Sequence, residues 1–313
     1  GRMTYQSSQF ASDLETLPKL PAWAAQGKPT TVEEVAFRSG AAMAPLDALI
    51  SDPGQGVPLV LLGNRLAMKS AVATSKIEGR LAREVDIRDA FHLTPLGQAR
   101  GPDGDLLGFW RALARLRPRG AGAVDKFIGE GGADHLSASA RRGTSLGPIS
   151  ACCAVLRDAL ATNDRAERLA CGLSDIVLAQ FMGWRRVLPV TSTVLTKLML
   201  RELVEGNPGA ELTVQAAVLK GVHGAIAEAR DLSRRAALIQ TVAPKLRSKA
   251  AEAGVGLFLT EDAVAPSSML APVVQGTRVP MTGRAARRFC DRLVSLGVAR
   301  ELTGRDTFRL YGL

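Results

Sequence analysis

The sequence predicts an all-α protein, a helical bundle followed by a smaller C-terminal unit that closes on a β-hairpin. Three observations carry this. Apolar residues recur at steps of three, four or seven along most of the chain, the spacing of one helix face. Aromatics are only 4% of the 313 residues, so the core must come from Leu, Ala and Val, and the Leu and Ala share suits helices better than strands. Glycines and prolines punctuate the periodic segments, with no convincing period-two strand and no internal repeat before the C-terminal tail.

Taken in order, the first residues are mixed and contain proline, with a short helix expected near Phe10 to Glu15. Thr30-Thr31 followed by Glu33 and Glu34 marks a helix start over Val32 to Phe37, because acids favour the positive helix end. "AAMAPLDALIS", Ala41 to Ser51, reads as helical, and "DPGQG", Asp52 to Gly56, breaks it. From Val57 to Gly79, Leu59, Leu62, Leu66, Ala73 and Ile77 line one face of a long helix. Gly79 stops that helix by tolerating left-handed backbone. Glu84 to Phe91 is a short helix, Gly101 to Gly104 a loop, and Leu106 to Leu116 an amphipathic helix carrying Phe109 and Trp110.

Residues 117–147 are rich in Gly, Ser and Arg. No glycine pattern there follows a strand as a phosphate loop would, so they read as a long surface loop with one short helix near Asp134 to Ala140. Helices resume at Ile149 to Ala161, Ala166 to Gly183 and Thr191 to Glu205. After the break "GNPGAE", Thr213 to Ile239 supplies one or two more, and Pro244 to Leu257 another. The chain thus divides into a helical domain, residues 1–240, and a C-terminal domain, residues 241–313.

The C-terminal tail is the most informative stretch: "MTGRAARRFCDRLVSLGVARELTGRDTFRLYGL", Met281 to Leu313. Thr282 is a good N-cap, and from it a helix runs to about Leu296, ended by Gly297. Ala286, Phe289, Cys290, Leu293 and Val294 form one apolar stripe, and Arg284, Arg287, Arg288 and Arg292 fall largely off it. "VARELT" and "TFRLYGL" follow, joined by the turn residues Gly304 to Asp306. With Pro244 to Leu257 and a short helix near Pro266 to Val273 ahead, this is the order of a winged helix-turn-helix. Such a helix can enter the major groove with Thr282, Arg284, Arg287 and Arg288, while Arg292, Arg305 and Arg309 meet the phosphate backbone. Arginines also solvate ordinary helices, and winged helices also bind proteins. Charge favours DNA: residues 241–313 hold eleven Lys or Arg against six Asp or Glu, a net +5 and half of the chain's +10. No aromatic stacking platform accompanies the arginines, which disfavours single-stranded RNA.

The remaining composition excludes other classes. The four cysteines, Cys152, Cys153, Cys171 and Cys290, form no CxxC pair, and the three histidines, His92, His135 and His223, are scattered, so no metal site or cofactor is expected. Reduced thiols fit a cytoplasmic protein. No apolar run of about 18 residues appears, so neither a membrane span nor a leader is expected.

"KSAVATSKIEG", Lys69 to Gly79, resembles the "EAVASSxIEG" segment found ahead of the catalytic core of Fic-domain proteins, which commonly transfer AMP from ATP to a hydroxyl side chain. Thr74, Glu78 and Gly79 fit that family's motif of Ser or Thr, three residues, Glu, and Gly or Asn. In active members the matching glutamate restrains an arginine that would hold the ATP γ-phosphate. The winged ending is similar in the same family, so the resemblance covers about residues 41–92 and 245–313. The family's catalytic loop, His-x-Phe-x-acid-Gly-Asn-Gly-Arg, has no counterpart: His92 is followed by Leu-Thr-Pro, His135 by Leu-Ser-Ala and His223 by Gly-Ala-Ile. The resemblance therefore implies a degenerate Fic-like bundle with a vestigial motif and no catalytic residues. The C-terminal arrangement also resembles an uncharacterised alphaproteobacterial family, a domain of unknown function. On its own chemistry, Thr74 is expected to bond back along its helix, and Glu78 to pair with Arg80, Arg83 or Arg88.

Three functions compete. The favoured one is a DNA-binding transcriptional regulator, not an enzyme, whose helical domain dimerises or binds an effector or partner. The second is a divergent Fic-like AMP transferase, for which "FIGEGGADHLSASARRG", Phe127 to Gly143, is the one concentration of Gly, His, Ser and Arg. The third is a non-catalytic, antitoxin-like interaction module.

Overall fold

The first long helix is capped by Thr31, whose hydroxyl accepts the Glu34 amide at 3.1 Å. The computed structural model describes residues 15–119, 123–129, 147–246 and 248–313. A short α1, Ala22–Ala25, precedes α2, Val32–Ser51. The two helices expected on either side of Phe37 to Ala41 are one, and Pro45 lies inside it. Proline removes one helical bond, and burial of Ala42, Met43, Leu46 and Leu49 offsets that loss as α2 packs on the long helix α10, Ala210–Val242.

The centre of the bundle is α3, Leu59–Ile77, which packs against α4, Glu84–His92, α5, Gly101–Arg115, and α10. Its buried face includes Leu61, Leu62, Leu66, Ala67 and Ala71, whereas Leu59, expected on that face, is 40% exposed at the helix start. A short α6, Ala123–Ile128, is followed by α7, Pro148–Thr162, and α8, Glu167–Met182, which pack on each other. α9, Lys197–Glu205, leads into the 33-residue α10.

Two segments depart from the sequence reading. Gly101 to Gly104 is the first turn of α5, not a loop. A Cβ at Gly104 would stand 2.4 Å from Arg100 Cβ and 3.2 Å from Ala90 O, so this glycine lets α5 start against the backbone of α4. Gly104→Ala is expected to cost about 1–3 kcal/mol, the usual penalty for overpacking, measurable by urea unfolding. The stretch Thr191 to Glu205 is not one helix: a 3₁₀ turn spans Thr191–Thr193, and α9 begins only after Thr196. Asp175 Oδ1 accepts from the Thr191 amide and hydroxyl, each at 2.8 Å, and side-chain bonds of this kind compete with helix. The helix expected near Asp134 to Ala140, and most of that near Phe10 to Glu15, lie outside the described residues.

The C-terminal unit opens on a 3₁₀ turn, Ala243–Leu246, and α11, Lys249–Phe258, capped by Ser248. Val264 then bridges Tyr311 through two bonds of 2.7 and 2.9 Å. A wide turn, Pro266–Leu270, leads to α12, Gly283–Ser295, and the chain ends in β1, Arg300–Glu301, and β2, Tyr311–Gly312. The strands are antiparallel, with Arg300 opposite Gly312 and Glu301 opposite Tyr311. A helix, an isolated bridge, a helical turn, a helix and a small two-stranded hairpin follow one another here. One continuous apolar core takes in buried residues from Val35 to Leu313. No described helix is long and apolar enough to cross a membrane.

Candidate nucleic-acid interface

Local sequence fixes the direction and the faces of α12. The Thr282 hydroxyl accepts the Ala285 amide at 3.1 Å, and the helix stops at Gly297, whose φ is +72°. Ala286, Cys290 and Leu293 are fully buried, whereas Val294, expected on the same stripe, is 38% exposed. Phe289 meets Phe258 of α11 edge-on, with ring centroids 6.1 Å apart. Burying that stripe turns the opposite face outward. Arg284, Arg287, Arg288 and Arg292 are all exposed, and none has an acidic partner among the described residues. Arg284, Arg288 and Arg292 also line a groove of about 490 Å³ shared with Ser248 and Phe289.

The other two arginines expected at DNA lie in the hairpin, and each is bonded within the chain. Arg305 grips Asp89 of α4 through contacts of 2.6 and 3.2 Å, which holds its guanidinium more firmly protonated than usual. Arg309 donates to Arg305 O at 2.8 Å and lies 3.3 Å from Asp306. The structure thus groups Thr282, Arg284, Arg287, Arg288 and Arg292 on one helix and ties Arg305 to the helical body.

Further bonds fasten the C-terminal unit to that body. Arg65 Nη2 donates to Leu313 O at 2.6 Å, Asn64 to Thr260 O at 2.6 Å and Arg88 to Leu302 O at 3.3 Å. Arg111 of α5, 4% exposed, binds Glu261 at 2.7 Å and Asp262 at 2.9 Å. His92 Nε2 lies 3.3 Å from Asp262 Oδ1. Burial pushes the Asp262 carboxyl up, but His92, Arg111 and Arg65 together hold it below its ordinary value. His92, Glu261 and Asp262 offer ligand atoms within 4.8 Å of one another, a spacing a metal ion could use. Arg111 already supplies the positive charge both carboxylates need, so the group fits an internal ion-pair cluster better than a metal centre.

In the TSKIEG segment, Thr74 Oγ1 donates to Ser70 O at 2.7 Å, as its position in the helix implies. Glu78 caps α3 and lies 3.4 Å from Arg80, one of the three expected partners. Its principal partner is Arg168 of α8, which donates at 2.7 and 2.9 Å; Arg83 turns to Asp86 instead. Gly79 has a φ of +77°. Of the segment Phe127 to Gly143, all but the first three residues lie outside the described residues.

Sequence reading missed Arg168, the Arg111 cluster and the Asp175 network, because each joins residues far apart in the chain. The buried character of "SDIVLA" around Asp175 was the one local sign that a carboxyl would meet the core. No curated protein and no solved structure matches the chain. The likeness to Fic-domain proteins gains no support from the family comparison, which matches residues 8–313 to a different description. Over that whole span the chain belongs to the DUF1403 family, described as a protein of unknown function.

Proposed function

We propose that the protein binds double-stranded DNA through α12 and acts as a transcriptional regulator in the cytoplasm. One observation carries this reading: four arginines without acidic partners among the described residues share the exposed face of a capped helix that follows a helical turn. Their charge is not spent inside the protein, unlike that of Arg65, Arg111, Arg168 and Arg305. In this reading Arg284, Arg287 and Arg288, on the N-terminal half of the helix, meet base edges or groove-lining phosphates, and Arg292 meets the backbone. Arg309, 3.3 Å from Asp306, and Arg305, held by Asp89, would each have to leave an acidic partner to reach a phosphate. A dimer joined through the helical body would present two such helices to two half-sites.

Affinity for a random-sequence duplex, measured across salt, tests the reading. The expected result is a steep negative slope of log affinity on log salt. Arg292→Ala should make the slope shallower by about 0.9, the loss of one phosphate contact, whereas Arg284→Ala/Arg287→Ala/Arg288→Ala should weaken binding and relax sequence preference. Absence of binding at low salt overturns the proposal.

A further inference from the structure

Lys69 and Lys76 of α3, Lys197 of α9 and Lys220 of α10 line one groove of about 500 Å³ on the helical bundle. Glu84 is the one acidic side chain among its described lining residues. Lys69 is held by Glu228 at 2.8 Å, and Lys197 lies 3.9 Å from Glu167. Lys76 and Lys220 are exposed and have no acidic partner among the described residues. Lysines on a convex surface are ordinary solvation, but these rim a concavity whose accessible apolar lining is aliphatic, chiefly the half-buried Val72 and Val194 over the buried Leu66, Ile77 and Leu195. Thr196, on the same lining, caps α9 by accepting the Met199 amide at 3.3 Å, so the positive end of that helix adds to the rim.

Two glycines of α10 also line the groove. A Cβ at Gly221 would stand 2.8 Å from Val190 O, so packing accounts for it. A Cβ at Gly224 would meet nothing within 4 Å. Packing gives no reason there for a residue that costs a helix interior about 1 kcal/mol relative to alanine. What its bareness does is leave the groove wide.

We propose that this groove binds a small amphiphilic anion, an aliphatic chain carrying a phosphate or carboxylate head. The head belongs among Lys76, Lys197 and Lys220, and the chain lies on the aliphatic lining. A heteroaromatic ligand fits less well, because among the described residues no aromatic side chain lines the groove to stack on a ring. The volume is within the usual range of small-molecule sites, about 300–1,000 Å³. The inference stands apart from DNA binding, since none of its residues lies in α12.

Calorimetric titration of the full chain with decyl phosphate and with decanoate, both below their micelle concentrations, tests it. Saturable binding of at least one is expected, and the two arms show which head is preferred. Inorganic phosphate and decyltrimethylammonium should each bind at least about tenfold more weakly, since each lacks half of the recognition. Lys76→Ala/Lys220→Ala should weaken the better ligand by about tenfold or more. Gly224→Leu, which places its Cβ in open space and leaves the charge intact, should weaken it too. Arg284→Ala/Arg288→Ala should leave it unchanged. The proposal is overturned if neither amphiphile binds or if the cationic one binds as well. It is also overturned if binding survives both the lysine and glycine variants, or if it is lost only with the arginines.

Discussion

Arg111→Met is expected to destabilise the protein by about 3–5 kcal/mol, the cost of leaving buried charges without their partner. Arg111 enters the core from α5 with its guanidinium 4.8 Å from the centre of the Phe91 ring and bonded to both Glu261 and Asp262. The two carboxyls are each 7% exposed, so water cannot replace the lost cation. Urea unfolding at neutral pH should show the full deficit. The deficit should shrink in acid, because a protonated carboxyl is far less costly to bury. Adding Glu261→Gln/Asp262→Asn should recover part of it at neutral pH, since neutral amides remove the stranded charges. A deficit that persists unchanged at low pH, with no recovery in the triple variant, would mean that lost packing rather than stranded charge governs the site. The cluster joins α4 and α5 to the segment after α11, so the same variant should also loosen the C-terminal unit and raise amide exchange in α12.

What the sequence revealed, and what it hid, follows from the range of each interaction. The capped α12, the long α3 and the closing hairpin were legible because caps, periodicity and turn residues act within a few positions. The exposed arginines of α12 were legible for the same reason: once the apolar stripe of Ala286, Phe289, Cys290 and Leu293 is seen, the other face is fixed. The partners of Arg111, Arg168 and Arg305 were not, because they lie 150, 90 and 216 positions away. That distance matters for function. Counting arginines in the tail treats Arg305 like Arg288, whereas one is spent on Asp89 and the other faces outward. The Glu78 contact teaches the same point: the sequence offered three nearby arginines, and α8 supplied the principal one. Gly104 was misread because glycine marks both a loop and a close helix approach, and only the neighbouring backbone decides between them.

Stability should fall as pH rises from about 4 to 7, and Asp175 is the cause. This carboxyl is fully buried, and burial pushes it from its ordinary 3.8 up to about 7, against the pull of the Thr191 and Ser192 bonds. Up to about pH 7 the folded chain keeps a proton on Asp175, whereas the unfolded chain releases it near pH 4. Each unit of pH in that window therefore costs the folded state about 1.4 kcal/mol, a few kcal/mol in all. The geometry accommodates the neutral acid. Ser192 Oγ lies 2.5 Å from Asp175 Oδ2 and 3.1 Å from Cys171 O, so it can accept the carboxyl proton and donate its own onward. Other groups act with the opposite sign. Asp262 and Asp231 are held below their ordinary values, so they lose stability only in stronger acid. Burial lowers His223, so the unfolded chain binds its proton first and stability gains as that proton is lost. Comparison with Asp175→Asn isolates the effect: urea midpoints of the parent chain should drop between pH 5 and pH 8, and those of the variant should not. Parallel curves would show that the parent buries Asp175 as a carboxylate, its charge held by the two hydroxyls and two amides of Thr191 and Ser192.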